Sequence, residues 1–260
     1  LNGKLNTCVL NIVADGVLVK NLNINGNNGS GIIINNAKNT VIENNNLNNL
    51  LNQSNMANYN TGKTLLPGNG IAILNSENTT IENNNIQYYY NGIYLNSAKY
   101  NSIQKNTITR NNFGIEFDKD DSNTLINDNN IIYNIGFNTM TMIEGPYGYG
   151  ISIRHSGVNI TVTNNRINNN YMGVFIDAKN CSGIKITSNE ISNSTIEGLT
   201  VNENYTYAPG ATLIVENNAI YNNAKGPSQI ILGEVSANPN GIYGPGEWND
   251  TLKLQLGPNW

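Results

Sequence analysis

The chain repeats itself. Gly70 to Asn91 reads GIAILNSENTTIENNNIQYYYN, and a near copy, GIYLNSAKYNSIQKNTITRNNF, follows at once from Gly92. Copies begin at Gly31, Gly70, Gly92, Gly114, Gly150, Gly173 and Gly198, with a degenerate one around Gly16. The basic period is about 22 residues, a length that marks solenoid architectures. Any fold and any function have to fit that period.

Within each copy the apolar residues keep a fixed order. Two follow the glycine in alternation, as in Ile71 and Ile73, Ile93 and Leu95, or Ile151 and Ile153. Period two means strand. About eight residues on comes one apolar position (Ile42, Ile81, Ile103, Ile126, Val162, Ile186, Val215), and five residues later another (Leu47, Ile86, Ile108, Ile131, Ile167, Ile191, Ile220). These segments are β-branched, too short for helices and bounded by Asn, Ser and Gly. Each repeat therefore reads as three short strands joined by turns.

One repeat cannot bury its apolar edge, but stacked repeats set each Ile on the next and close a continuous core. The fold expected is all-β: a right-handed parallel β-helix of about nine coils. Asn45, Asn84, Asn106, Asn129, Asn165, Asn189 and Asn218 share one slot, two residues before the last apolar position. Amides stacked at the roughly 4.8 Å spacing of neighbouring strands can bond side chain to side chain, so an asparagine ladder is expected there. Asn makes up roughly a fifth of the chain and suits turns in any case. The slot is distinguished by holding across all seven copies.

The pattern, in motifs such as NTTIENNNI and VTNNRINNN, resembles the parallel β-helix repeat family over nearly the whole chain. That resemblance implies the fold, and it spans polysaccharide lyases, epimerases, glycoside hydrolases, carbohydrate-binding proteins and surface adhesins. The Asn-rich, Ile-rich, Cys-poor version here looks most like the adhesin-like surface proteins of methanogenic archaea. It implies an extracellular or cell-surface place, a polysaccharide or a surface glycan or protein as partner, and a monomer within a longer chain. One elongated domain over 1–260 is expected, since no linker or charge run interrupts the array. A net charge of −4 with 12% charged residues gives no basic footprint for nucleic acid. No apolar run is long enough to cross a membrane as a helix. Cys8 and Cys181 fall on coils on the order of 25 to 30 Å apart, so both are expected as free, mostly buried thiols.

The period breaks at 48–69 and at 134–149, both after the last strand of a repeat and before the next glycine. Residues 226–260 loosen into an irregular terminal coil or cap. Insertions at one corner of a coil stack on one side, a common place for binding surfaces. Aromatic residues gather there. Tyr59, Tyr88, Tyr89, Tyr90, Phe137, Tyr147 and Tyr149, with Tyr94 and Glu116 on the adjoining strand, form the candidate ligand-binding set, because tyrosine offers a flat apolar face with a polar tip.

Outward positions of the strand after each glycine bring Glu116, Asp118, Arg154 and Asp177 to one face, with His155 beside them. Two readings follow. Asp118, Arg154, His155 and Asp177 serve a lyase or epimerase acting on uronic-acid polymers, with Arg154 neutralising the sugar carboxylate and His155 or Asp177 as base. Alternatively Asp118, Arg154 and Asp177 are a lateral ion-pair ladder. The Asp-Pro-His, Asn-Thr-Asp and Gly-His-Gly motifs of such enzymes are absent, so no catalytic role is favoured. A Ca²⁺ site at Asp118, Asp120 and Asp121 with Glu116 is disfavoured by the lysine inside the run, and no metal or cofactor is expected.

Overall fold

The computed structural model describes residues 8–26, 29–57, 68–136, 148–155, 157–178, 182–201, 211–224, 230–232 and 252–256. They wind into nine coils whose strands align in three parallel sheets of nine, nine and eight strands. The first sheet holds Leu10–Ile12, Ile32–Asn35, Asn69–Leu74, Asn91–Asn96, Phe113–Phe117, Tyr149–His155, Met172–Ala178, Leu199–Val201 and Ile230–Leu232. The second runs from Leu18–Lys20 to Leu252–Leu256 and the third from Asn23–Asn25 to Ala219–Tyr221. Every paired neighbour is parallel and the register is the one the repeat dictates. Ile93 sits between Ile71 and Ile115, Ile103 between Ile81 and Ile126, and Ile108 between Ile86 and Ile131.

The core is the bore of this coil. Ile32, Ile71, Ile93, Ile115 and Ile151 are fully buried in one column, and equivalent columns line the other two sheets. Each such side chain contributes about 1.5–3 kcal/mol by leaving water. The repeat glycine opens the first sheet for a steric reason. A Cβ on Gly150 would stand 2.6 Å from the carbonyl oxygen of Gly173 and 2.7 Å from Ile167, so the chain turns into the bore where only hydrogen fits.

The expected ladder is present along its whole length. Nδ2 of Asn45 donates to Asn84, Asn84 to Asn106, Asn106 to Asn129, Asn129 to Asn165, Asn165 to Asn189 and Asn189 to Asn218, at 2.9–3.0 Å. Each inner rung also accepts a backbone N–H and donates to carbonyls. Asn106 donates to Ile81 and Gln104 while taking the N–H of Asn84. Buried amides are thereby satisfied at every coil.

A second ladder, unforeseen in the sequence, lies five residues further on. Asn111 donates to Asn134 and Asn134 to Asn170. The residue before each rung, in both ladders, takes a left-handed conformation, as at Asn83, Lys105 and Asp128 in the first and Tyr88, Arg110 and Tyr133 in the second. Asn and Asp tolerate this well, which accounts for part of the amide-rich composition.

Both insertions leave from the corner of the second ladder, as expected. The first carries a helix, Leu50–Ala57, where the repeat pattern showed only a loop. Asn49 starts it: its side chain accepts the N–H of Asn52 at 3.0 Å, the arrangement of an N-cap. Within 226–260 the described strands Ile230–Leu232 and Leu252–Leu256 extend the first and second sheets. Cys8 is a free, half-buried thiol, and Cys181 lies outside the described residues.

Candidate functional site

The outward face of the first sheet presents three columns. One, just before the glycines, reads Asn69, Asn91, Phe113, Tyr149 and Met172. The next reads Ala72, Tyr94, Glu116, Ser152, Phe175 and Thr200, and the third includes Leu74, Asn96, Arg154 and Asp177. A residue on a strand faces outward at every second position, and the register of the second column is the one that alternation predicts.

The first two columns meet in a ring cluster outside the bore. Tyr90 lies 5.5 Å from Phe113, Phe113 5.3 Å from Tyr149, and Tyr149 stacks on Phe175 at 4.8 Å with only 9° between planes. Met172 and Ile196 close its far side. The rings of Phe113, Tyr149 and Phe175 are buried although they point away from the core, so they form a second apolar centre. Such offset and stacked pairs add to their area burial.

Arg154 lies over this cluster. Its Cζ is 5.3 Å from the ring centres of Phe113 and Tyr149 and 5.9 Å from that of Phe175. Its Nη1 is 3.8 Å from Oε1 of Glu116. Burial pushes the Glu116 carboxyl up to about 7, Arg154 opposes that, nearby Asp118 adds to it, and a hydrogen bond from Asn91 works against it. Among the described side chains the ion-pair partner of Arg154 is Glu116, which the lateral ladder of Asp118, Arg154 and Asp177 did not include. Arg154 and Asp177 are register partners, and the side chains of His155 and Asp177 lie outside the described residues.

Asp118 is engaged elsewhere. Its Oδ2 accepts the Tyr94 hydroxyl at 2.6 Å and the Asn96 amide at 3.0 Å. Desolvation first, then this bond, pushes the Tyr94 hydroxyl up to about 12, so Tyr94 stays a donor. Asp121 turns the opposite way, into the corner between the first and second sheets, where Oδ1 accepts the N–H of Ala98 at 2.9 Å. The carboxylates of Asp118 and Asp121 thus diverge, and among the described residues no three His, Cys, Asp or Glu side chains gather as a metal site.

Of the ligand-binding candidates, Tyr90, Tyr94, Glu116 and Tyr149 come together on this face. Tyr59, Phe137 and Tyr147 lie outside the described residues. Tyr88 is a half-buried turn residue whose carbonyl accepts Nδ2 of Asn52. Tyr89 is a correction. It occupies the rung position of the second ladder, points into the bore and is fully buried, with its hydroxyl held above the usual range by desolvation. Gly26, Gly31 and Gly70 make room for its ring, since a Cβ at any of them would crowd it. It cannot touch a ligand on the surface. The sequence reading missed the clustering of Phe113 and Phe175 with Arg154. Its signal was available in the column before the glycines, where Phe113 and Tyr149 share a slot.

A family sequence profile described as a right handed beta helix region matches residues 8–206. Among curated protein sequences none matches the chain. Among solved structures, an exopolygalacturonase from Thermotoga maritima is similar at a TM-score of 0.56 and 12% identity, covering 77% of this chain and 55% of its own. The A-module of a mannuronan C-5 epimerase from Azotobacter vinelandii (TM-score 0.42, 16% identity, 94% and 58%) and a lacto-N-biosidase from Eubacterium ramulus (0.44, 10%, 96% and 58%) are also similar. The chain spans a little over half the length of each of these structures.

Proposed function

The chain belongs to the right-handed β-helix family, and from that premise we propose that it is a cell-surface domain that binds a glycan along the outward face of its first sheet. One observation carries the reading: Tyr94, Asn96 and Asp118 form a bonded polar strip beside Tyr90 and the Arg154–Glu116 pair, all on one flat face. Sugar rings need such a surface, an apolar plane edged by fixed donors and acceptors. The shared fold with an exopolygalacturonase makes a sugar polymer the ligand class to test first. An extracellular place and an adhesin role, as in the Asn-rich surface proteins the sequence resembles, fit a rigid rod with one adhesive side. A glycan array on the whole chain tests it. Tyr94→Phe and Tyr90→Ala should each weaken binding about tenfold or more, a loss of roughly 1.4 kcal/mol. Binding unchanged in both variants would remove the face from consideration.

A second reading, a lyase or epimerase on uronic-acid polymers, is favoured by Glu116, whose carboxyl is poised near neutrality beside Arg154. A base near pH 7 next to a cation is what proton abstraction beside a carboxylate requires. Turnover on a uronate panel, lost in Arg154→Ala, would support it; a silent panel would end it.

A further inference from the structure

The guanidinium of Arg154 is held by groups that would suit a ligand better. The side chain reaches a cage of three aromatic rings with Glu116 at one end. Ring faces plus a carboxylate are the means by which proteins hold organic cations. The fit for arginine is incomplete. Nε has no hydrogen-bond partner, and at 3.8 Å the contact with Glu116 is an ion pair too long to be a hydrogen bond. In the column between Glu116 and Phe175 the hydroxyl of Ser152, fully buried, is also without a partner. An arginine fixed for structural reasons fills its fork of donors. This one remains 30% exposed, with solvent to swing into.

Charge points the same way. Among the described side chains the face sets two acidic groups, Glu116 and Asp118, against one guanidinium, and the aromatic faces add further negative potential. Once the guanidinium has left, no described positive charge remains here for an anionic sugar, whereas a cationic one would favour the ionised Glu116 and be attracted. We propose, resting on the glycan reading above, that the cage is a subsite for an amino sugar. The sugar ammonium takes the place of the guanidinium between the rings and Glu116, and Ser152 bonds a neighbouring hydroxyl. Arg154 is the resident occupant that steps aside, and the strip of Tyr94, Asn96 and Asp118 receives the adjoining sugar.

Calorimetric titration of the whole chain tests this with three probes at about pH 6.5, low enough to charge a substantial share of the sugar amines: hexamers of glucosamine, of N-acetylglucosamine and of galacturonate. The glucosamine hexamer should bind about tenfold more tightly than its acetylated counterpart, a difference of about 1.4 kcal/mol. Arg154→Ala should tighten it further and Glu116→Gln should erase the preference. Methylguanidinium should raise the melting temperature of Arg154→Ala and leave that of the parent chain unchanged. Equal binding of the amino and acetylated hexamers overturns the cation subsite while the glycan reading stands. Preference for galacturonate, lost in Arg154→Ala, overturns it in favour of Arg154 as an anion anchor. If no hexamer binds any variant, the amino-sugar ligand falls together with the glycan reading, whatever methylguanidinium does.

Discussion

The two asparagine ladders stand at neighbouring corners of the same coil and have different histories. The first runs unbroken through seven rungs. In the second, Asn111, Asn134 and Asn170 are linked, but Tyr89 replaces the rung before them and Ser194 the rung after. Both insertions leave from the second corner, and the ring cluster with Arg154 begins just beyond it. A corner that repeats faithfully serves cohesion. A corner that tolerates a tyrosine, a helix and a loop has been released to serve something else, and the cost of its irregularity is offset by the regular one beside it.

Substitution within the two ladders gives the largest contrast. Asn106→Ala would strip the acceptor from the N–H of Asn84 and one of the three acceptors from its Nδ2, and would take a donor from the carbonyls of Ile81 and Gln104 and from Oδ1 of Asn129, which keeps only the backbone N–H of residue 106. Each buried group left unsatisfied costs about 1–3 kcal/mol, so a loss of about 4 kcal/mol is expected in urea unfolding. Asn111→Ala removes the acceptor of the Tyr89 N–H and one donor to Asn134, with no amide before it in the stack. About 2 kcal/mol is expected there on the same basis. Equal losses at the two positions would erase the distinction.

Restoring the missing rung sharpens the comparison from the other side. Tyr89→Asn supplies the amide that the second ladder lacks, yet it empties the space that Gly26, Gly31 and Gly70 hold open for the ring. Losing a buried aromatic side chain costs about 3–5 kcal/mol, of which a new amide bond returns about 1. The variant should therefore unfold at lower urea by about 3 kcal/mol. A gain in stability would mean that the tyrosine is an interruption and not a plug.

How much of this was legible depended on periodicity. Asn84 and Asn106 could be read as rungs because the slot holds an amide in every copy. Asn111 could not, because Tyr89 and Ser194 break the column and the eye takes Tyr88 to Tyr90 as one aromatic run. In the coil those three neighbours face a turn, the bore and the surface, a division that only the register reveals. The outward columns were legible from strand alternation alone. The pairing within them was not, since alternation says which face a side chain is on and nothing about where a seven-atom arginine lays its end. That is why alternation could place Arg154 beside Asp118 and Asp177 without showing that its guanidinium lies over Phe113 and Tyr149 next to Glu116.

The corner between the first and second sheets offers a comparison through pH. Ala37 and Ala98 occupy a slot there that Ser76 and Asp121 fill with oxygens bonded to the N–H of the coil before. An open groove of about 810 Å³ borders it, lined in part by Glu77, Lys99 and Asp120. Burial raises the Asp121 carboxyl from 3.8 to about 7 against the pull of its backbone N–H bonds, with Asp118 and Asp120 adding to the rise. The unfolded chain releases this proton near pH 4 and the folded chain keeps it to about 7. Stability contributed by the protonated form is therefore complete below pH 4, falls as pH rises to about 7 and is level above. The full shift is worth at most about 4 kcal/mol, and about 2 is expected once the ionised group relaxes toward the groove. Glu116 acts in the same direction over the same window. Asp121→Asn should flatten about half of the slope in unfolding measured from pH 4 to 8.

On the outer surface of the third sheet one charge pair joins adjacent coils, and the smallest effect is expected there. Arg166 and Glu190 are register partners on adjacent coils, 3.7 Å apart, and Glu190 also accepts the Tyr221 hydroxyl at 2.7 Å and an amide hydrogen from Asn168 at 3.1 Å. The Tyr221 bond, ahead of the Asn168 bond and the Arg166 charge, holds the Glu190 carboxyl below its usual range. Water screens all of it, since the Arg166 side chain is 57% exposed. Arg166→Ala should therefore change stability by no more than about 0.5 kcal/mol, and less in high salt. A loss comparable to that of Asn111→Ala would show that lateral contacts on the outer face help hold the coils together, and the contrast between a cohesive inner corner and a released outer surface would have to be redrawn.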